Sequence, residues 1–598
     1  MSFNLRERRV RELKRRRLYL LLSLVIPGTG QLAAGRIGIG ITGLILNALF
    51  VITPIFLIPR LKENNYSQYV FLVWLLIGAA FLLYYFIMAL DAYRGTRLAI
   101  APCRGKCPAD INVPDYVALV AAGRHSEADE LIRERAPFAA TLGRICPAPC
   151  EDVCTRTRIE EPIAIRALKR SAQERRTDHT VPTFEVQYPQ KIAVIGAGPS
   201  GLTCAYFLGR LGYKVDVFDS SDTPGGLLAS TIPCFRLPRK ALAEDIGYIL
   251  HSSEGVRFHG GRILGKDLDL TDLEKAYDAV YLAMGASRPR PLMLEGEGLK
   301  GVIPGLEFLR KVCSGKETYK FKGHVAVLGG GNTAVDSARA ALRLGAKKVI
   351  VFYRRAREHM PAYAGEVEEA EREGVEFRFL AGPLSFEGRG KVRKLHLCPM
   401  KLVEHSHGRR SEIIPLTEER WIETVEAVIV AVGQEADYSM LETLTVASDV
   451  YGKITVHPHR LHTSRRNIFA GGDAVNGPST VVEAVADGRR AAKEIDLFLR
   501  PRFLGRQFAR LNEFDLDFGI ERLEGAAWKK KKPEVRERFS EILEVKKIAL
   551  NRETLCGLAP GEDRKEALRC LRCHKHSIGF GYKKGKQKEY VPLDKREE

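Results

Sequence analysis

Residues Lys191–Asp222, KIAVIGAGPSGLTCAYFLGRLGYKVDVFDSSD, decide how this chain is read. Lys191–Ile195 is a short apolar strand run, and Gly196, Gly198 and Gly201 follow at G-x-G-x-x-G spacing. Leu202–Leu211 has a helical pattern, Val215–Phe218 reads as a second strand, and Asp219 closes the unit. Each glycine has its own physical reason. Gly196 permits the tight turn, Gly198 lets backbone approach a pyrophosphate, and Gly201 lets helix and strand pack closely. The helix N-terminus, with Pro199 and Ser200 in its first turn, offers unpaired N–H groups to phosphate charge. Asp219 lies where a ribose-binding acid is expected. A lone glycine turn is common, but strand, helix, second strand and acid in order predict a dinucleotide-binding unit.

A second copy of the pattern begins at His324, HVAVLGGGNTAVDSARAALRLGAKKVIVFYRR. Gly329, Gly331 and Ala334 give G-x-G-x-x-A, with Gly330, Asn332 and Thr333 in the same turn. The strand Val349–Tyr353 ends in Arg354 and Arg355 rather than in an acid. A carboxylate there would favour the 2′-hydroxyl of NAD, whereas two guanidinium groups pair with a 2′-phosphate, so this unit is read as the NADPH site.

Three further segments assign the first unit to FAD. Gly225, Gly226 and Leu227, after Pro224, form a turn through which backbone approaches a flavin, and Arg236 in IPCFRLP meets a phosphate or the flavin's polar edge. EAVIVAVGQ, Glu426–Gln434, is a buried strand run where an inserted domain rejoins its parent. In Asn467–Ala492, Gly472 and Asp473 form a glycine–aspartate turn whose acid takes a ribityl hydroxyl. The helix after Ser479 and Thr480 turns its N-terminus to the pyrophosphate. Cys204, Cys234, Cys313 and Cys398 are scattered, which gives no paired redox cysteine. No Ser–His–Asp set or paired carboxylate stands out, as expected where a flavin does the hydride chemistry.

Eight of the twelve cysteines cluster: Cys103, Cys107, Cys146, Cys150 and Cys154, then Cys556, Cys570 and Cys573. CRGKCP and CPAPCEDVC space thiolates at i and i+4, one helical turn apart, with Val113–Arg135 between them as two helices. Such clustering points to a metal, and thiolates alone do not choose between zinc and iron–sulfur.

With these residues quoted, the stretch from Asp110 to Cys154 resembles the N-terminal iron–sulfur domain of the glutamate synthase small (beta) subunit family, a domain that also begins dihydropyrimidine dehydrogenase. The resemblance spans about residues 103–500. It implies one or two [4Fe–4S] clusters, with Cys103 and Cys154 serving one and Cys107, Cys146 and Cys150 the other. It implies that the Arg236 position contacts FAD. Two departures stand out. The family's additional C-x-x-C before the position of Cys103 is missing, and Lys169 stands where the family places a Glu or Gln ligand; a protonated lysine cannot ligate iron, so the second cluster is expected to be differently ligated, open at one site or absent. EALRCLRC, Glu566–Cys573, matches a segment that opens a cluster site in relatives. Cys570 and Cys573 are therefore expected to complete a four-thiolate set with Cys103 and Cys154; a zinc site or a loose thiol pair is the alternative.

The chain has 598 residues and a formal charge of +20, with basic runs at both ends. The run Arg6–Arg17 is followed by the apolar segments Leu18–Ala34, 37–59 and 69–90. The last two are long enough to cross a bilayer, and the distribution of Lys and Arg predicts that both ends face the cytoplasm. Leu18–Ala34 is read as interfacial or re-entrant, with a third span as the alternative. The expected location is the inner membrane, multi-pass, with soluble domains in the cytoplasm; basic runs beside apolar segments favour lipid over nucleic acid.

The fold class expected is α/β: two Rossmann-like dinucleotide-binding domains, preceded by a helical iron–sulfur domain and N-terminal transmembrane helices. The divisions expected are 1–98 anchor, 99–187 iron–sulfur domain, 188–321 and 431–500 FAD domain, 322–430 inserted NADPH domain, and 501–598 C-terminal extension. Electrons are expected to pass between NADPH, FAD and the clusters. They would then reach an unidentified redox protein or quinone, or the large subunit of a glutamate synthase, with flow in either direction; a non-catalytic scaffold is the remaining reading.

Overall fold

The computed structural model describes residues 41, 43–46, 48, 52, 70–94, 101–315, 319–403, 412–435, 446–449, 452–458, 460–500, 553 and 557–570. The chain divides into two units: Met1–Pro102 with Asp517–Lys532 and Leu571–Glu598, and Cys103–Leu516 with Pro533–Cys570.

The first unit corrects the expected membrane location. Among the described residues no helix is long and apolar enough to cross a membrane. The expected span 69–90 falls within the helix Val70–Arg94. The expected span 37–59 lies largely, and Leu18–Ala34 wholly, outside the described residues.

The second unit contains two parallel five-stranded sheets. The first has the order Ile468–Ala470, Ala279–Leu282, Lys191–Ile195, Lys214–Phe218, Val256–His259, all parallel. Lys191–Ile195 lies at its centre, buried except for Lys191, which suits a strand covered on both faces. The helix Pro199–Leu211 follows it and ends at Gly212, whose φ of 94° is left-handed. The last strand arrives from more than 180 positions downstream, which makes this domain discontinuous in sequence.

The second sheet has the order Val302–Pro304, Ala427–Val430, His324–Leu328, Lys348–Tyr353, Glu376–Phe379. Val302–Pro304 precedes the expected boundary at residue 322, yet pairs with Ala427–Val430. An antiparallel sheet of Ala381–Glu387, Lys394–Val403, Glu412–Pro415 and Trp421–Thr424 covers one side and was not foreseen. Its Leu395 and Leu397 share an apolar core with Ala326, Ile350 and Val428 of the parallel sheet.

Ahead of both sheets stands a helical domain, Val113–Ala121, His125–Arg133, Ala139–Ile145 and Ile165–Glu174, with the two helices expected over 113–135. Arg133 is buried between Asp129 at 2.8 Å and Asp245 at 3.0 Å, the latter on the helix Arg239–His251 of the first sheet's domain. Asp245 also accepts from the Ala140 and Thr141 amides, so one carboxylate answers both an arginine and a helix N-terminus.

The helices Pro199–Leu211 and Val481–Leu499 cross so closely that a Cβ on Gly488 would stand 2.1 Å from the Ser200 carbonyl oxygen. Gly488→Val is expected to destabilise this domain by about 1–3 kcal/mol through overpacking. A lowered thermal midpoint and lost flavin on purification would be the readout.

Candidate functional site: two glycine turns and a thiolate group

The two glycine turns repeat one construction. Gly196, at φ 109°, has no room for a Cβ, which would stand 2.3 Å from the Ala283 carbonyl oxygen. Gly329, at φ 134°, has the same relation to the Ala431 carbonyl oxygen at 2.2 Å. Only glycine suits a left-handed turn pressed against the neighbouring strand. The helices that follow begin at Gly198 and Gly331, neither of which has a side-chain cap. A Cβ at either would meet nothing within 4 Å. Each helix thus presents free first-turn amides beside open space, which fits a diphosphate.

Around the first turn, the Asp219 carboxylate accepts from the Ala197 amide at 2.7 Å and the Ser221 amide at 2.8 Å. It is fixed at the end of the strand, as a ribose-binding acid requires. Gly225 and Gly226 both have positive φ, and the Gly225 amide donates to the Ala197 carbonyl at 2.8 Å. Leu227 then opens the short helix Leu227–Ser230. Gly472 lies against Ser200, where a Cβ would come within 3.0 Å of the Ser200 Cβ. Asp473 accepts from the Ser479 hydroxyl at 2.6 Å and amide at 3.1 Å, and burial pushes its carboxyl up to about 6.

Three expected contacts take other roles. Ser200 is buried and its hydroxyl bonds the Tyr281 hydroxyl at 2.7 Å, so it packs the turn from behind. Thr480 forms a capping box with Glu483: its hydroxyl accepts from the Glu483 amide, and the Glu483 side chain accepts from the Thr480 amide. The Glu483 amide is thereby answered within the helix's own first turn. Arg236 is turned toward the second domain, with Nη1 2.6 Å from Asp336 and Nη2 2.9 Å from Glu366. Both terminal nitrogens are taken, which corrects the expected flavin contact; only Nε lacks a hydrogen-bond partner.

At the second turn, a Cβ on Gly330 would strike the Tyr353 ring at 2.4 Å. Asn332 Oδ1 accepts from the Tyr363 amide at 3.2 Å, and Thr333 is half-buried beside it. The strand Lys348–Tyr353 delivers Arg354, exposed, and Arg355, half-buried. Among the described residues neither makes an ion pair, and the buried Arg355 Nε has no hydrogen-bond partner. Arg357 is instead paired with Glu371 at 2.5 Å. Two unanswered guanidinium groups at this strand end fit a 2′-phosphate.

The cysteines gather as well. Burial would lower the Lys169 ammonium, but Cys146, Cys150, Cys107 and Glu151 around it raise it. Burial pushes the Cys107 and Cys150 thiols up and Lys169 draws them down. Cys107, Cys146 and Cys150 thus lie near one buried lysine on the helix Ile165–Glu174. Amides of Ile111 and Ala109 bond the Cys107 sulfur, and the Ala148 amide bonds Cys146 Sγ at 3.4 Å. Amide–sulfur bonds of this kind suit thiolates that hold a cluster. Among the described residues no three His, Cys, Asp or Glu side chains close on a single metal ion.

The C-terminal helix Glu562–Leu568 docks on this same domain. Asp563 meets His125 at 2.8 Å and Arg175 at 2.5 Å, and Glu566 accepts from the Ala164 amide at 2.8 Å. Arg569 is buried against Glu160 at 2.9 Å, while Arg156 donates to the Arg569 carbonyl at 3.0 Å. Cys570 is thereby held beside the segment that begins at Cys154. Cys573 and Cys556 lie outside the described residues.

Comparison with known proteins gives two family matches. Residues 190–488 match the pyridine nucleotide-disulphide oxidoreductase family. Residues 87–181 match the dihydropyrimidine dehydrogenase domain II, 4Fe-4S cluster, family. The chain is similar to the NADP(+)-dependent formate dehydrogenase subunit beta of Moorella thermoacetica, 37% identical over 508 residues, 79% of this chain and 71% of that protein. The NADPH-Fe(3+) oxidoreductase subunit beta of Geobacter sulfurreducens is 34% identical over 513 residues, 79% of this chain and 75% of its own. The glutamate synthase [NADPH] small chain of Escherichia coli is 35% identical over 425 residues, 66% of this chain and 87% of its own.

Replacing both strand-end arginines, Arg354→Ala/Arg355→Ala, is expected to raise the KM for NADPH by about 10–100-fold, the loss of one or two charge-assisted hydrogen bonds. The KM for NADH should barely move. Steady-state kinetics with both nucleotides checks this.

Proposed function

The chain belongs to the pyridine nucleotide-disulphide oxidoreductase family, and from that premise we propose that it is an electron-exchange subunit, working between NADP(H) and a partner catalytic subunit. It is an NADPH-dependent oxidoreductase with FAD and a [4Fe–4S] cluster. The observation that carries the proposal is the presence, within one unit, of two uncapped helix N-termini and of three cysteines beside Lys169.

In this reading the amides after Gly331 hold the NADPH diphosphate, and Arg354 and Arg355 hold its 2′-phosphate. The amides after Gly198 hold the FAD diphosphate, Asp219 the ribose and Asp473 the ribityl chain, with Gly225 and Gly226 admitting the flavin. Bound FAD exchanges a hydride with the nicotinamide and single electrons with the cluster. Cys107, Cys146 and Cys150 hold one cluster, with Lys169 as a cation against it. Cys103 and Cys154 serve another, completed by Cys570 and Cys573. The docking of Glu562–Leu568 supports this last assignment, because it brings Cys570 to the domain that carries Cys103 and Cys154.

The likeness to three subunits of larger enzymes supports the partner. The formate dehydrogenase relative favours flow toward NADP(+). A small chain of glutamate synthase is the second reading, supported by coverage of 87% of the Escherichia coli chain.

Purified anaerobically, the protein is expected to lose its flavin absorbance on adding NADPH, and a broad iron–sulfur absorbance should fall with it. A colourless or unresponsive protein would refute the function. Cys570→Ser/Cys573→Ser is expected to lower iron by about four atoms per chain, one cubane cluster. Unchanged iron would remove the two cysteines from the ligand set.

A further inference from the structure

The covalent link between the two dinucleotide-binding domains is thin. The chain leaves through Arg288–Pro289 and returns through Gln434–Glu435, and these strands pair with each other only over those two residues. A ribbon this short acts as a hinge, about which the inserted domain can pivot unless something else pins it.

The pin comes from the loop before the helix Arg239–His251. Phe235 belongs by sequence to the FAD domain, yet its ring is fully buried in the core of the second domain with Phe308, Val335 and Ala338. The Arg343 and Arg339 guanidinium groups lie 4.2 and 5.0 Å from its ring centroid. The next residue, Arg236, has its side chain 8% exposed and reaches Asp336 and Glu366. Asp336 stands on the helix Asn332–Arg343, directly after the second glycine turn. Glu366 is held in turn by Arg339 at 3.1 Å, and Arg339 also meets Glu369 at 3.0 Å and Glu373 at 2.5 Å. A ring and a cation from one domain thus sit inside a charge network of the other.

We propose that Phe235 and Arg236 are positioning residues for hydride transfer, which fix the angle between the two domains and so the placement of nicotinamide against flavin. Any swing about the ribbon withdraws Arg236, which leaves Asp336 without its ion-pair partner and Glu366 with Arg339 alone, the costly half of a buried ion pair. It also pulls Phe235 out of an apolar core. The network therefore selects one orientation, and the transfer step proceeds within it. The distance between donor and acceptor governs such a step steeply, so a small loss of registry is felt in the rate. The inference rests on the assignment of FAD and NADPH to the two turns.

The test uses the full-length protein with its cofactors. Arg236→Met and Phe235→Ala are compared for flavin per chain, NADPH dissociation constant, and rate of flavin bleaching at saturating NADPH. The rate should fall by about 10–100-fold while flavin content is kept and the dissociation constant changes by less than about twofold. The long-wavelength charge-transfer absorbance of stacked nicotinamide and flavin should weaken in parallel, and Arg236→Lys should recover part of both. Where Arg236→Met fails to fold, Arg236→Met/Asp336→Asn/Glu366→Gln removes the unpaired charges and is read in the same way. An unchanged bleaching rate would overturn the inference. So would lost flavin with an unchanged rate per bound flavin, the signature of a flavin contact. Failure of the wild-type protein to bleach would instead strike the assignment of cofactors.

Discussion

Buried ion pairs hold the cofactor-binding parts of this protein together. Arg133 joins the helical domain to the first dinucleotide-binding domain through Asp245, Arg236 joins the first dinucleotide-binding domain to the second, and Arg569 joins the C-terminal helix to the helical domain. A buried pair adds little net stability, because desolvation offsets most of the attraction, but breaking one leaves an unanswered charge in an apolar setting. Such joints specify arrangement more than they add strength. That suits a relay, where donors and acceptors must keep fixed separations, better than a set of loosely tethered carriers.

What was legible in the sequence was local. The glycine turns could be read because their roles are set by backbone geometry within a few residues, and the strand and helix boundaries followed within one to three positions. The choice of NADPH rested on Arg354 and Arg355, two adjacent residues at a strand end. Features set by distant partners were not legible. Arg236 read as a flavin contact because nothing nearby in sequence announces Asp336 and Glu366, which lie 100 and 130 residues on. Thr480 read as a phosphate contact, although Glu483, three residues later, was a visible capping signal. The antiparallel sheet over 381–424 went unnoticed because its strands alternate only loosely and carry charges on their open face. The membrane reading weighed apolar length and the distribution of Lys and Arg.

The thiolate group shows how a departure from a pattern can be structural. Lys169 is 4% exposed, yet burial there does not strip its proton, because three thiols and Glu151 surround it. Sequence alone marked the residue as an odd substitution. The fold makes it the centre about which Cys107, Cys146 and Cys150 are arranged, and a fixed cation at such a place favours the more negative state of any cluster held there.

The docking of Glu562–Leu568 has a consequence for biogenesis. Arg156 and Arg569 meet across 413 residues of chain. While the ribosome works, the helical domain emerges early and waits, with Arg156, Glu160 and the Ala164 amide facing water. Glu566 is translated 402 residues after the Ala164 amide it answers. A polypeptide that stopped before Glu562 would lack these partners and leave Arg156, Glu160 and the Ala164 amide to water.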